Sequence, residues 1–350
     1  MIIKNNPEVL NNHLGVNKNI DALDKLIQNA EIMVQNWVDY PVLAMPGAFP
    51  IQMDQDASGD VTFSFNGTPH NITEHAFQQV CSKIGLPAAY MKKCVDAGKS
   101  DLAVDNYRSW SISDKSDQKE NNNLLVRCYN GDIRAVLTDR YNVFDSSIVL
   151  NTLKDALDCD EYMDRFTLSQ SYLSQDTLHL RFVDFNNPIT VGGDHLHSGF
   201  VLSSSDIGSG ALSLKYFLYR FACKNGIVHA RSSGTLFRRT HLTDFRYSGI
   251  NLFRDALHKI ADLNQDVATH ISNSQQKILV DKELDFYIEK ARKELHIGKT
   301  GEENIRQLMD TTYDHSLWGL INSITEHAQI YSLDGRVDAE TFAGKLLAAA

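Results

Sequence analysis

Long apolar runs are missing from this chain. Stretches such as 211–214 and 227–230 fall far short of the roughly 18 residues that a membrane helix needs, which excludes a spanning segment of that kind. Cysteine is sparse. The five present (Cys81, Cys94, Cys128, Cys159, Cys223) are odd in number, widely spaced and form no C-x-x-C pair, so a disulfide framework is excluded and reduced thiols are expected. The opening residues MIIKNNPEVL lack an apolar signal segment, and with the thiols they point to a cytoplasmic setting. Motifs of the common catalytic classes are also missing: no G-x-x-x-x-G-K-[ST], no G-x-G-x-x-G, no G-x-S-x-G and no H-E-x-x-H. The sequence therefore makes no positive case for an enzyme or for a bound cofactor.

What is present is an ordinary folded composition, 43% apolar and 22% charged over 350 residues, enough for about two domains at roughly 150 residues each. The charge is unevenly spread. The chain carries a net charge of -10, yet between Lys215 and Lys259 nine basic residues face only Asp244 and Asp255. A basic segment in an acidic protein points to an anionic partner for one face, although it would equally serve to cover the chain's own acidic neighbours.

Residues 1–18 are polar, rich in asparagine and without sustained period, and are expected to form a mobile arm. From Ile20, Leu23, Ile27, Ala30, Val34 and Trp37 recur at helical spacing until Pro41. Further helices are predicted from Thr73 to Ile84, from Ala88 to Ala97 and from Ser147 to Leu157. Strands are predicted at 61–65, 124–128, 133–137, 167–173, 177–182, 199–203 and 212–223, where β-branched and aromatic residues alternate between turn signals. Asn130-Gly131 and Asn225-Gly226 each separate two such runs, as type I′ hairpin turns do. The expected fold is α+β: a core domain over 19–248 with a central antiparallel or mixed sheet and flanking helices, then a helical C-terminal region over 249–350.

That last region contains no proline. Ile250, Phe253, Leu257, Ile260, Asn264, Val267, Ile271, Ser274 and Ile278 step by alternate threes and fours, a heptad seam. It predicts either self-association through 250–278, with Asn264 setting register, or a long helix packed on its own sheet. A helix starting at Asp281 closes at Gly298, and Thr300 with Glu303 is expected to cap a long final helix running through Trp318 and Ile324.

Two constellations could carry function. His195 and His197 lie two residues apart and would share one face of a strand, but no third ligand follows at a diagnostic spacing, so a metal site is weakly supported. The segment Lys215-Tyr216-Phe217-Leu218-Tyr219-Arg220-Phe221 interleaves bases with aromatics. Together with Lys224, Arg231, Arg238, Arg239 and Arg246, the residues Lys215, Tyr216, Tyr219 and Arg220 form a candidate single-strand binding surface, aromatic rings stacking on bases and cations following phosphates. The competing reading makes the period-two aromatics the buried face of a strand. Ser203 to Gly210 has the look of a phosphate cradle but fits a hairpin turn better, because its glycines precede a strand and not a helix.

Five stretches together resemble the phage- and plasmid-associated family grouped as domain of unknown function 932. They are ITEHAFQQVCSKIGLPAAYMKKC (72–94), IRAVLTDRYNVFD (133–145), SGFVLSSSDIGSGALSLKYFLYRFACKNGIV (198–228), RRTH (238–241) and SLWGLINSITEHAQ (316–329). The resemblance implies a mobile-element protein in a bacterial cytoplasm with no established reaction. By layout the chain is also similar to the Red-beta and RecT type of ring-forming annealing proteins. The resulting expectation is a non-catalytic single-stranded DNA binding or annealing protein acting in recombination or replication. A phage structural or regulatory protein-binding protein is the alternative, and a metal-dependent nuclease using His195 and His197 a second.

Overall fold

A computed structural model describes residues 2–3, 19–43, 49–111, 123–159, 162–220, 225–228, 235–241, 245 and 248–350. The first part of the chain runs β1 (Ile2–Ile3), α1 (Asn19–Val34), β2 (Trp37–Val42), β3 (Ile51–Gln55), β4 (Val61–Phe65), β5 (Thr68–His70) and β6 (Ile72–Thr73). There follow α2 (Glu74–Ile84), α3 (Ala88–Asp96), α4 (Ser100–Ser111), β7 (Leu124–Tyr129), β8 (Asp132–Thr138), α5 (Ser146–Cys159) and α6 (Tyr162–Arg165). A run of strands is next: β9 (Thr167–Leu173), β10 (Thr177–Val191), β11 (Asp194–Ser205), β12 (Leu212–Arg220), β13 (Asn225–Val228) and β14 (Thr235–Arg239). Helices close the described chain: α7 (Gly249–Gln276), α8 (Asp281–Leu295), α9 (Lys299–Thr311), α10 (Leu317–His327) and α11 (Leu333–Leu347). The fold is α+β.

The strands form three sheets. A five-stranded mixed sheet has the order β1-β6-β8-β7-β2, and beside it lies the small meander β3-β4-β5. The third is antiparallel, β12-β11-β10-β9, with β13 and β14 both pairing along the free edge of β12. Asn130 and Gly131 (φ 49° and 86°) turn β7 into β8, as the hairpin signal predicts. The same dipeptide at Asn66-Gly67 (φ 51° and 74°) joins β4 to β5.

Two large apolar cores and two small satellite clusters hold the described residues together. One core joins α2, α3 and α4 to the first two sheets. The other joins the six-stranded sheet to α1, α5 and every helix from α7 onward, so the strands of the expected core domain and the helices of the expected C-terminal region share one interior. The reason is patterning. Leu212, Leu214, Tyr216 and Leu218 present an apolar face that no other sheet covers, and α7 supplies the matching stripe. Of the arm expected over 1–18, Ile2–Ile3 is a strand paired in parallel with β6, and the rest lies outside the described residues.

The heptad seam is consumed within the chain. Phe253, Leu257, Ile260, Val267 and Ile271 are wholly buried against the six-stranded sheet, and Asn264 accepts a 2.8 Å hydrogen bond from Tyr216 Oη. Only the end members Ile250 and Ile278 are exposed. Of the two readings of 250–278, the structure shows the helix packed on its own sheet: the strict spacing matches it to that face. The single long final helix also divides, into α9 and α10, because Ser316 ends the connecting turn and caps α10, its Oγ accepting from Gly319 N. The expected Thr300 cap is replaced by Gly298, which makes no side-chain bond.

Candidate functional site

The expected binding strand β12 is mostly interior. Its two faces serve two cores: Tyr216 and Leu218 point to α7, while Phe217 packs with Val183, Val201 and Val228 on the opposite side. Tyr216 has no exposed surface and spends its hydroxyl on Asn264, so it cannot stack on a base. Tyr219 is half-buried and meets Phe185 edge to face at 6.1 Å. Arg220 is committed to the fold: its Nε donates to Asp194 Oδ1 at 3.1 Å, and its guanidinium lies over the Tyr313 ring. Asp194 in turn accepts from Trp318 Nε1 at 2.7 Å, so the trio ties β11 and β12 to α10. Lys215 is half-buried in the middle of the sheet. Lys224, Arg231 and Arg246 lie outside the described residues. Of the candidate surface residues that are described, only Arg238 and Arg239 are exposed, at the end of β14.

Gly226 does not occupy a type I′ turn. It lies within β13 opposite Tyr219, outside the left-handed region, and a Cβ there would meet the Phe217 ring at 2.2 Å. His195 and His197 do share a face of β11, but their Nδ1 atoms go to Thr190 Oγ1 and to the Asp184 carbonyl. Among the described residues no three His, Cys, Asp or Glu side chains are placed to hold a metal ion.

Where Arg238 emerges, the fold opens a cleft of about 610 Å³ between the two cores. One wall is the polar face of α2. His75, Gln78, Gln79, Ser82 and Lys83 recur at helical spacing opposite Ala76, Phe77, Val80, Cys81 and Ile84, which anchor the helix in its core. The facing wall is the turn 208–211 between β11 and β12, and the sides are Val136, Leu137, Thr138 and Tyr141 together with Arg238, Thr240 and His241. Gly208 makes this approach possible: its φ is +75°, and a Cβ would lie 2.6 Å from Leu137 Cδ2. Gln79 fixes the two walls together, donating through Nε2 to the Ile207 carbonyl and accepting from Val136 N at 2.7 Å. His75 Nε2 donates to the same carbonyl at 3.1 Å.

The electrostatics of the cleft are one-sided. Among the described residues Lys83 and Arg238 line it and no carboxylate does, in a protein whose acidic residues outnumber its basic ones by ten. Burial holds the Lys83 ammonium below its ordinary pKa, because the charged form is short of water. His241 is clamped flat between Tyr141 and Phe144, with ring centroids 4.6 and 3.8 Å away. Its Nδ1 donates to the Asn142 carbonyl, which leaves Nε2 as an acceptor, and that buried atom has no partner. Burial pushes the imidazole down to about 4, so it is neutral near pH 7.

Beneath the cleft the two cores are tied by buried charge. Arg127 on β7 donates to Asp39 Oδ1 and Asp145 Oδ1, both at 2.7 Å, and its guanidinium lies 4.6 Å from the centre of the Trp37 ring. Arg134 on β8 forms a two-pronged pair with Asp176 at the β9–β10 turn, at 2.8 and 2.5 Å. These ties fix the turn 206–211 against β8, and hence the width of the opening. The arrangement offers cations, amide donors and one aromatic wall residue, Tyr141, to an anionic ligand.

The family described as Domain of unknown function (DUF932) matches residues 135–340, from β8 into α11. The chain belongs to this DUF932 family. The matched span takes in the 208–211 turn, Arg238 and His241 but not α2, so within this chain the DUF932 region supplies three sides of the cleft and the preceding residues supply the fourth. No curated protein and no solved structure matches the chain. No described helix is long and apolar enough to cross a membrane.

Sequence reasoning missed Lys83, Gln79 and His241. The signal for the first two was present in α2, whose outward face carries amides, a hydroxyl and a cation but only Glu74 as an acid, at its first residue. His241 carried no comparable signal, since its role arises from contact with Tyr141, a hundred residues earlier.

Proposed function

We propose that this protein binds single-stranded DNA without chemistry, with the strand crossing the mouth of the cleft and its phosphates on Lys83, Arg238 and Arg239. The observation that carries this is the pairing of two cations in an opening that no carboxylate lines among the described residues, where an anion replaces water that Lys83 has lost. The exposed Arg238 and Arg239 extend the positive surface along β14. Support for the strand-binding surface thus moves from β12, whose aromatics are interior, to the cleft and β14. Annealing in recombination or replication, as in the Red-beta and RecT type, is the use that such a seat serves when several copies act on one strand.

The test is fluorescence anisotropy with a labelled oligonucleotide over a range of salt. Arg238→Ala/Arg239→Ala weakens single-strand binding and flattens the salt slope by about 1.4, two contacts at about 0.7 each. Duplex of the same length competes poorly. A double variant that binds like the parent at every salt concentration removes the proposed surface.

A further inference from the structure

Resting on that reading, we infer that the cleft is the seat of one nucleotide carrying a phosphomonoester, its phosphate between Lys83 and Arg238 and its base toward Tyr141 and His241. Size argues for one unit. A recess of about 610 Å³ falls in the range that holds a single small ligand, and its walls close within one α-helical face and one four-residue turn. Charge argues for a monoester, whose two negative charges at neutral pH match two cations that have no acidic partner among the described residues, whereas an internal phosphodiester brings one.

Hydrogen bonding argues for a nucleoside beyond the phosphate. The Nε2 of His241 belongs to a residue only 4% exposed, and it is an acceptor without a donor. The dianion of a phosphomonoester has no hydrogen to give it; the amino and ring N–H groups of a base do. The Tyr141–His241–Phe144 stack, nearly coplanar at interplanar angles of 4° and 6°, keeps that ring from turning away. A nucleotide therefore answers both the cations, unpaired among the described residues, and the unpaired acceptor, whereas a nucleoside brings no charge to the cations and inorganic phosphate brings no base to the Tyr141 wall.

Two sources offer this chemistry, a free nucleotide and the phosphorylated end of a strand. Isothermal titration on the full chain with deoxynucleoside monophosphates, the matching deoxynucleosides and inorganic phosphate is the primary measurement. Monophosphate binding at least tenfold tighter than either fragment is expected, and Lys83→Ala or Arg238→Ala, each checked for fold by circular dichroism, weakens it by about tenfold. Oligonucleotides with a 5′-phosphate, a 3′-phosphate or no terminal phosphate then separate the sources: a gain of several-fold from one terminal phosphate assigns the strand end, and equal affinities with a bound monophosphate assign the free nucleotide. Monophosphates that bind no better than phosphate or nucleoside, together with no gain from either terminal phosphate, overturn the inference. Strand binding that still depends on Arg238 and Arg239 in that case leaves the broader reading standing, and monophosphate binding without strand binding removes the broader reading alone.

Discussion

Arg127 donates through Nη1 to the main-chain carbonyl of Asp206, 2.6 Å away, and so joins β7 to the far end of β11 across the boundary between the two cores. Burial alone would lower its pKa, but Asp145 and Asp39 hold it above the ordinary arginine value. Removing one partner of such a buried set leaves the others charged and unpaired. Arg127→Leu is expected to lower unfolding stability by about 3–5 kcal/mol in urea titrations. The exposed pair of Arg108 with Asp54 sets the contrast, since Arg108→Ala should cost less than about 1 kcal/mol. Equal losses in the two variants would refute a special role for the buried tie.

The Asp206 carboxyl has a different dependence on pH. Burial first, then the neighbouring Asp145, pushes it up to about 8 from 3.8, against the pull of Arg127 and of Ser146. The folded state thus favours the protonated form, a contribution fully present below about pH 4 and lost as pH rises toward 8. His241, down at about 4, and His179, at about 3, act oppositely: their contribution is present above 6.5 and is lost as pH falls. Between pH 6.5 and 8 only the first effect remains among these three. The parent should lose stability across that window while Asp206→Asn, which keeps acceptor and donor toward Ser146, stays flat. Thermal melts at half-unit intervals decide it, and parallel curves for the two proteins would count against the assignment.

Gly226→Val should lower the thermal midpoint by several degrees, an expected cost of about 1–3 kcal/mol, because the added carbons collide with the Phe217 ring. The double variant Gly226→Val/Phe217→Leu provides the check. Partial recovery of the midpoint identifies the collision, whereas a loss unchanged by the smaller partner would return the cause to backbone conformation.

Tyr216→Phe separates the interior strand from the ligand surface. It leaves the half-buried Asn264 Oδ1 without its donor, for an expected loss of about 1 kcal/mol, and it leaves oligonucleotide affinity unchanged. A variant of normal stability with weakened strand binding would restore β12 as the contact surface.

The parts of the fold legible in the sequence are those fixed by local pattern. Asn130-Gly131 takes the positive φ values that a two-residue hairpin requires, and α2 ends at Gly85 in the left-handed cap that its spacing implies. Asn225-Gly226 misled because the identical dipeptide lies inside a strand edge, where the absent side chain makes room for Phe217 instead of a turn. The seam in α7 was legible as a seam, but a heptad step does not say whether its partner is another chain or the Leu212 to Leu218 face. The site was less legible. Alternating aromatics in β12 drew the candidate surface inward because each face of that strand has a core of its own, a fact of sheet position that composition does not carry. The cleft required α2 and the 208–211 turn to meet across more than a hundred residues.

The pair of Arg181 and Glu340 also spans a long stretch of chain, from β10 to α11, with Arg181 Nη1 and Nη2 reaching Glu340 Oε1 and Oε2 at 2.9 and 2.6 Å over the Phe217 ring. During synthesis on a ribosome, β10 emerges some 150 residues before the carboxylate that neutralises it. Until then Arg181 must stay hydrated, and the sheet cannot close over it. The Phe217 face of the sheet, where Arg181 lies, is therefore expected to close only once α11 has arrived, late in folding.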